Sequence, residues 1–344
     1  MGWDTSAVSV ENQPVYQEGF DLAGGGASLT RASQEGVLFA NPAVMPWGSK
    51  FHRWVGMETS LIFNTDERAQ KTAEGLGQGE SLDLPAMINQ ASNTPIHIGV
   101  MTSLSWITNN VGVSVFGRVE PDLELKTYGD SGTPVVQTDL EAYAGAIAGY
   151  AGKVTDWLSL GVAVKCLAID ANERIPIELI EIQSGDTSKI DEAEKEITES
   201  ASGGCSETSG DVGSLFFWRN QFVDFRLALK GDNFGSQTRE VTYHGGLGLT
   251  FHGRREAVHL SVDYRDVGKA LGQKSFHQWY AGAKVLIGNF VGLAVGRYQG
   301  FLSMGVRLDL FLMQVGITKY SKEFGSYIGE KKRDIVMVYI ATGW

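Results

Sequence analysis

The chain has 344 residues, 43 of them glycine and only 8 proline, with 10% aromatics and a formal net charge of −11. Mean hydropathy is near neutral at −0.09, and no uninterrupted apolar run approaches the roughly 18 residues of a spanning helix, which excludes a helical membrane protein. The acidic balance argues against a nucleic-acid partner, which selects basic surfaces.

Residues 1–51 show no strand-like alternation. They contain Gly24-Gly25-Gly26, a polar stretch around Ser33 to Gly36, the apolar run Val37 to Ala40, then Asn41-Pro42-Ala43 and Pro46. Glycine density permits tight turns, and each proline drives its predecessor towards extended geometry. A short irregular segment of mixed polarity cannot bury a core of its own, so it is expected to be tied down inside something larger. The start lacks the basic and apolar regions of a secretory signal, so a barrel chain beginning here is expected to be a mature form.

Residues 52–344 divide into fourteen short stretches in which apolar and other residues alternate, the period-2 signature of strands. The third sets Val111, Val113 and Val115 against Ser114 and Arg118, and the seventh sets Val223, Phe225, Leu227 and Leu229 against Asp224, Arg226 and Lys230. The ninth opposes Val258, Leu260, Val262 and Tyr264 to His259, Ser261, Asp263 and Arg265. The twelfth opposes Leu302, Met304, Val306 and Leu308 to Ser303, Gly305, Arg307 and Asp309. The thirteenth places Phe311, Met313, Val315 and Ile317 opposite Gln314, Gly316 and Thr318. The last ends with Val336, Val338, Ile340 and the terminal Trp344 on one face.

Gap lengths switch by parity. After even stretches they are tight: Asn109-Asn110, residues 153–156 and 219–221, Gly253-Arg254, Gly288-Asn289 and Asp309-Leu310. After most odd stretches they are longer, at 66–94, 127–136, 170–212, 231–240 and 321–332. Short turns on one side and long loops on the other predict an all-β fold, a 14-stranded antiparallel transmembrane β-barrel. Its inner face then collects Glu58, His97, Arg118, Glu120, Lys165, Asp224, Arg226, Asp263, Arg265, Lys284, Arg307 and Asp309, with the signs mixed. Trp54, Trp106, Trp157, Trp218, Tyr264 and Trp344 fall near strand ends, as interfacial girdles require. A soluble β-sandwich shows similar alternation, and loop parity favours the barrel over it.

The Gly-Gly-Gly-Ala run followed by Asn41-Pro42-Ala43 and then by about fourteen strands resembles the FadL-type outer-membrane transporters. The resemblance covers the whole chain in architecture, and residues 20–48 in motif. It implies an N-terminal hatch over 1–51 within a barrel over 52–344, with Asn41, Pro42 and Ala43 anchoring the hatch. It also implies location in the outer membrane of a diderm bacterium, outer-membrane lipid around the wall, and inward movement of long-chain fatty acids or similar hydrophobic small molecules. A family kink in the third strand maps onto Gly112, Gly117 and Pro121, residues that weaken a ladder.

For a hydrophobic ligand, Val37, Leu38, Phe39 and Phe116 are the expected tail contacts, and Arg31 or Arg118 the expected partner of a carboxylate head. The simpler alternative is that these residues pack the hatch and that the arginines meet Glu58 or Glu120. The 170–212 loop is strongly acidic, with Glu173, Glu178, Glu181, Asp186, Asp191, Glu192, Glu194, Glu196 and Glu199, and reads as a solvated extracellular surface. Within it, Ile175, Ile177, Leu179, Ile180 and Ile182 offer a docking groove, and residues 189–199 a short helix. Cys166 and Cys205 can bridge in an oxidising compartment, but nothing in their spacing requires it, and two unrelated thiols is the simpler reading.

No G-x-S-x-G elbow, H-E-x-x-H helix or Walker A loop occurs, so no catalytic residue, cofactor or metal is expected. The histidines (His52, His97, His244, His252, His259 and His277) are scattered; His244 and His252 share a face but lie about 26 Å apart along a strand. Gly246 and Gly248 sit mid-strand with no helix after them, which removes a dinucleotide reading. The expected function is passive uptake by a monomeric plugged barrel. The rivals are a non-transporting outer-membrane scaffold or secretion-associated barrel that docks a protein, and a general porin for polar solutes.

Overall fold

The computed structural model describes residues 16–31, 36–47, 55–65, 96–126, 135–178, 204–253, 256–268, 277–288, 290–323 and 332–343. Of these, 123–126, 135–140, 169–178 and 323 are described by backbone alone. The first strands are β1 (Gly56–Asn64), β2 (Ile96–Ile107), β3 (Val111–Lys126) and β4 (Val135–Thr155). They lead to β5 (Leu158–Glu178), β6 (Glu207–Arg219), β7 (Val223–Phe234), β8 (Thr242–His252) and β9 (Glu256–Tyr264). The remainder are β10 (Trp279–Ile287), β11 (Val291–Tyr298), β12 (Phe301–Leu310), β13 (Met313–Glu323) and β14 (Lys332–Gly343). Each pairs antiparallel with its neighbours in sequence, and β1 seals the cylinder against β14 from Gly56↔Gly343 to Asn64↔Ile335.

Closure leaves no unpaired edge, the one way a sheet can satisfy its backbone within lipid. The period-2 alternation sorts as expected. Leu61, Leu104, Val115, Val162, Leu229, Leu247, Val295, Leu302 and Ile317 lie exposed on the outside. The charged set assigned to the inner face is buried, apart from half-buried Arg265, Arg307 and Asp309. No helix among the described residues is long and apolar enough to cross a membrane. The chain is therefore a transmembrane β-barrel.

Besides shifts of a few residues at other strand ends, such as β7 running to Phe234 past the expected start of its gap at Gly231, four details differ from the sequence reading. The expected 170–212 loop is partly strand, because β5 continues to Glu178 and β6 begins at Glu207. Polar residues there keep backbone pairing, with Asp170↔Tyr143 and Glu178↔Val135, since the sheet extends past the bilayer into water. β4 and β5 each have 21 residues, about twice the roughly 9–11 that cross a membrane. Residues 179–203, including the expected 189–199 helix, and also His52, Trp54 and Trp344, lie outside the described residues.

The second difference is at β12–β13, where Leu310 pairs with Met313, so the turn is Phe311-Leu312 rather than Asp309-Leu310. Phe311 is therefore 99% exposed at the turn instead of on a strand. With Trp157, Trp218, Phe222 and Phe290, all exposed, it forms an aromatic girdle at the short-turn side. A turn has no strand period, so alternation does not single out Phe222 or Phe290 and assigns Phe311 to a strand. Third, Cys166 and Cys205 are joined in a disulfide, with Cα atoms 5.3 Å apart. It staples β5 to the return of the chain just before β6, beside a bulge between Ala144 and Gly145. Fourth, β13 runs past Ser321 to Glu323 and so carries Lys322 into the lumen.

Of the N-terminal segment, residues 16–31 and 36–47 are described, and this part occupies that lumen. It comprises α1 (Gly19–Ala23), α2 (Val37–Ala40) and a 3-10 turn at Pro42–Trp47. Its residues are buried almost throughout, although helices this short have no stability alone. Tertiary contact with the inner wall supplies what the segment lacks. Ser303 Oγ donates to Ala23 O at 3.0 Å, Thr318 Oγ1 to Gly19 O at 2.7 Å, and Ser261 Oγ to Ala27 O at 3.1 Å. Lys284 pairs with Asp21.

Candidate functional site

Asn41 organises the end of the segment. Its Oδ1 accepts from Ala43 N at 3.1 Å, while its Nδ2 donates to Leu29 O at 3.1 Å and Ser214 O at 3.4 Å. Ala43 O accepts from Ser159 Oγ at 2.6 Å, and that hydroxyl accepts from Trp47 Nε1 at 2.8 Å. Pro42 and Ala43 lie against the strand backbone at Gly161, where a Cβ would sit 2.5 Å from Ala43 N. At Gly213 a Cβ would overlap the Asn41 amide. The Asn-Pro-Ala residues thus fix the segment to β5 and β6, and the facing glycines are the space they need.

The same logic explains the glycines of β10 and β11. A Cβ at Gly282 would overlap Gly24 O, and one at Gly296 would overlap Gly25 N. Gly25 itself has φ +75°, which side chains rarely adopt. Gly246 and Gly248, mid-strand as expected, leave room for Leu29 and Thr30.

The expected tail contacts come together. Phe39 meets Phe116 edge-on at 5.0 Å and Tyr16 at 4.8 Å, and Leu38 packs over Gly112, where a Cβ would lie 3.1 Å from the Leu38 methyls. Val37 belongs to the same buried cluster. Towards the long-loop end the cluster continues through Tyr280, Tyr298 and Tyr320, stacked edge to face at 5.5 and 5.7 Å. Those tyrosines carried no distinguishing sequence signal beyond the inward parity of their strands.

The two arginines diverge. Arg118 forks onto Glu120 at 2.8 and 2.7 Å and lies 3.7 Å from Glu141. The Arg118–Glu120 contact is the one foreseen by the simpler alternative. Lys322 reaches the same carboxylates, at 3.3 Å from Glu141 and 3.7 Å from Glu120, and Arg333 pairs with Asp122. Among the described residues, Arg118, Lys322 and Arg333 thus each have a carboxylate partner at the mouth. Arg31 sits elsewhere, donating to Thr250 Oγ1 at 3.5 Å.

Gly112 and Gly117 lie in continuous ladder, paired with Ile107 and Thr102. Pro121 does not: β2–β3 pairing runs from Ile107↔Gly112 to Val100↔Val119 and resumes at His97↔Asp122, leaving Ile98 and Gly99 without partners on β3. Pro121 has no N–H to offer there. A Cβ at Gly99 would lie 2.6 Å from Glu120 Cγ, so the ion-paired set sits over this break. No group of three His, Cys, Asp or Glu that could hold a metal occurs among the described residues.

No protein-family model matches the sequence, and no curated protein matches it either. Solved structures do share the fold. The TodX monoaromatic hydrocarbon channel, as a deltaS2 mutant, aligns with TM-score 0.53 and 11% identity over 96% of this chain and 99% of that one. Its deltaS2S3 mutant gives 0.51 and 11% over 95% and 98%. The CymD monoaromatic hydrocarbon channel gives 0.50 and 10% over 96% and 98%. These channels are of the FadL family. At such identities the likeness is one of fold, and the fold is the one the FadL-type resemblance implied.

Proposed function

We propose that this protein is an outer-membrane channel of a diderm bacterium through which hydrophobic small molecules diffuse passively past an N-terminal hatch. The observation that carries the reading is the unbroken apolar cluster linking wall to segment through Phe116, Phe39, Tyr16 and Leu38. Transfer of an apolar chain from water into such surroundings is worth about 0.8 kcal/mol per methylene, which needs no energy source. The full-length likeness to two monoaromatic hydrocarbon channels supports a hydrophobic cargo. The Cys166–Cys205 disulfide supports a compartment outside the reducing cytosol.

In this reading cargo enters at the long-loop end, passes the tyrosines and reaches Val37, Leu38 and Phe39 of the hatch. It leaves when the hatch shifts or through the wall where Pro121 breaks the β2–β3 ladder. Asn41, Pro42 and Ala43 hold the hatch while this happens. A closed barrel presents no edge that demands a partner, so one chain suffices, surrounded by outer-membrane lipid.

The test is uptake of radiolabelled toluene and of a radiolabelled long-chain fatty acid by cells producing the protein. Val37→Asp and Phe39→Asp are expected to abolish uptake of whichever cargo the native protein carries, while heat-modifiable gel migration shows a folded barrel. Unchanged uptake in both variants would sink the route.

A further inference from the structure

The described part of the segment is tied to the wall in two ways. Over residues 19–30 the ties carry charge from both sides. Asp21 of α1 pairs with Lys284 of β10, so one member of that pair travels with the segment. Asp263 of β9, fully buried, accepts from Ser28 N at 2.7 Å and from Leu29 N at 3.0 Å. Arg265 donates to Gly26 O at 2.6 Å and Arg226 to Thr30 O at 3.1 Å. Displacing this stretch separates a buried ion pair and strips a buried carboxylate of two donors, and both are costly. Residues 41–43 are anchored as well, with Asn41 donating to Ser214 O and Ser159 to Ala43 O.

Helix α2 lies between these anchored stretches, and its hold on the wall is of the other kind. Leu38 packs against Gly112 and Gly149, and Phe39 against Phe116, apolar contacts that a hydrophobic molecule can make in their place. Among the described residues, one hydrogen bond joins the wall to α2, from Lys230 Nζ of β7 to Phe39 O at 2.5 Å. That carbonyl belongs to the last turn of a four-residue helix, where the helix itself supplies no N–H. Lys230 keeps its counter-charges if α2 departs, because they belong to the wall: Asp232 at 2.5 Å and Asp211 at 3.4 Å. Wall groups fix both carboxylates in turn. Lys165 lies 2.8 Å from Asp211, Asn233 N donates to Asp211 at 3.2 Å, and His244 lies 3.0 Å from Asp232. Releasing Phe39 O therefore costs one hydrogen bond and breaks none of these ion pairs.

We propose that α2 is the part of the segment that moves, and that Lys230 is its catch. Lys230 is then a positioning residue: it holds the Phe39 carbonyl until cargo takes over the apolar contacts of Leu38 and Phe39. Residues 19–30 and 41–43 stay on the wall while α2 swings between them. The proposal rests on the transport reading above and adds which part of the segment yields and what restrains it.

The experiment is hydrogen–deuterium exchange of the full chain in detergent, read on peptides spanning 19–29 and 36–41, with and without toluene or dodecanoate. The second peptide carries the amides of Phe39, Ala40 and Asn41, which are bonded within α2. Lys230→Met is expected to speed exchange over 36–41 by about tenfold and to leave 19–29 at the native rate. Lys230→Arg, which keeps the charge and the donors, is expected to restore slow exchange. Lys230→Met with Asp232→Asn removes one charge of each sign and takes its place should Lys230→Met fail to give a heat-modifiable barrel. Exchange that rises equally in both peptides, or that stays native over 36–41 in the folded variants, overturns the catch. If cells take up toluene or dodecanoate and that compound speeds 19–29 as much as 36–41, the transport reading stands and the catch falls. If Lys230→Met loosens 36–41 alone but neither compound is taken up or alters exchange, the catch stands and the transport reading fails.

Discussion

Lys322 on β13 lies 3.3 Å from Glu141 on β4, although β14, β1, β2 and β3 separate those strands around the wall. The pair is a chord across the lumen, buried at both ends. Removing one partner leaves an uncompensated buried charge, which typically costs about 3–5 kcal/mol. Lys322→Met is therefore expected to lower barrel stability by about that amount and Lys322→Met with Glu141→Met by less. Urea unfolding in lipid vesicles measures both. A double variant no more stable than the single one would show that the chord is not a coupled pair.

Asn41 holds together three pieces of chain through three hydrogen bonds. Asn41→Leu keeps the volume but leaves Leu29 O and Ala43 N unpaired, at about 1–3 kcal/mol each. That loss falls on the segment in the lumen, the proposed hatch, not on the sheet. Expected outcomes are faster trypsin cleavage within the first 47 residues and larger planar-bilayer conductance, with heat-modifiable migration unchanged. Native-like conductance would argue that the Asn-Pro-Ala residues are incidental to closure.

Gly282 offers an independent way to move the hatch. Gly282→Val puts atoms where Gly24 O now lies, so segment and wall cannot both keep their places. The strand itself tolerates valine, which favours sheet. The variant should fold as a barrel and pass current, whereas Ala283→Val on the same strand should not. Conductance of the two variants in the same bilayer decides this.

Pro121 bears on the lateral route. Pro121→Val supplies the missing N–H and is expected to let β2 and β3 pair through Ile98 and Gly99. Uptake of labelled hydrocarbon is then expected to fall several-fold with the hatch intact. Equal uptake would place the exit through the hatch alone.

The Cys166–Cys205 disulfide closes a loop of 39 residues in sequence separation. Constraining a loop of that length in the unfolded chain is worth about 2–4 kcal/mol. Reduction, or Cys166→Ser with Cys205→Ser, is expected to shift the denaturant midpoint downward, most of all for β5 and β6. Thiol titration of the native protein should find none free.

The strands were legible because lipid and lumen impose opposite chemistries on alternate residues. Val258, Leu260 and Val262 against His259, Ser261 and Asp263 can be sorted without coordinates. The tight gap at Asn109-Asn110 and the long one after Asn64 likewise announce on which side of the membrane each connection lies. Phe311 was misplaced because a turn has no period, and β5 was cut short because pairing beyond the bilayer no longer needs an apolar face. Arg31 and Phe39 are legible as residue types, but their contacts, with Thr250 and with Tyr16 and Phe116, are not.

What the sequence determined by itself is the strands, their number and their inward and outward faces, governed by interactions local to a strand and its solvent. What only the tertiary structure decided is everything across the lumen. Lys322 with Glu141, Gly282 with Gly24, and Arg226 with Thr30 join residues 181, 258 and 196 positions apart. No local preference specifies such contacts, because they depend on where the closed wall places the ends of its side chains around the segment it encloses.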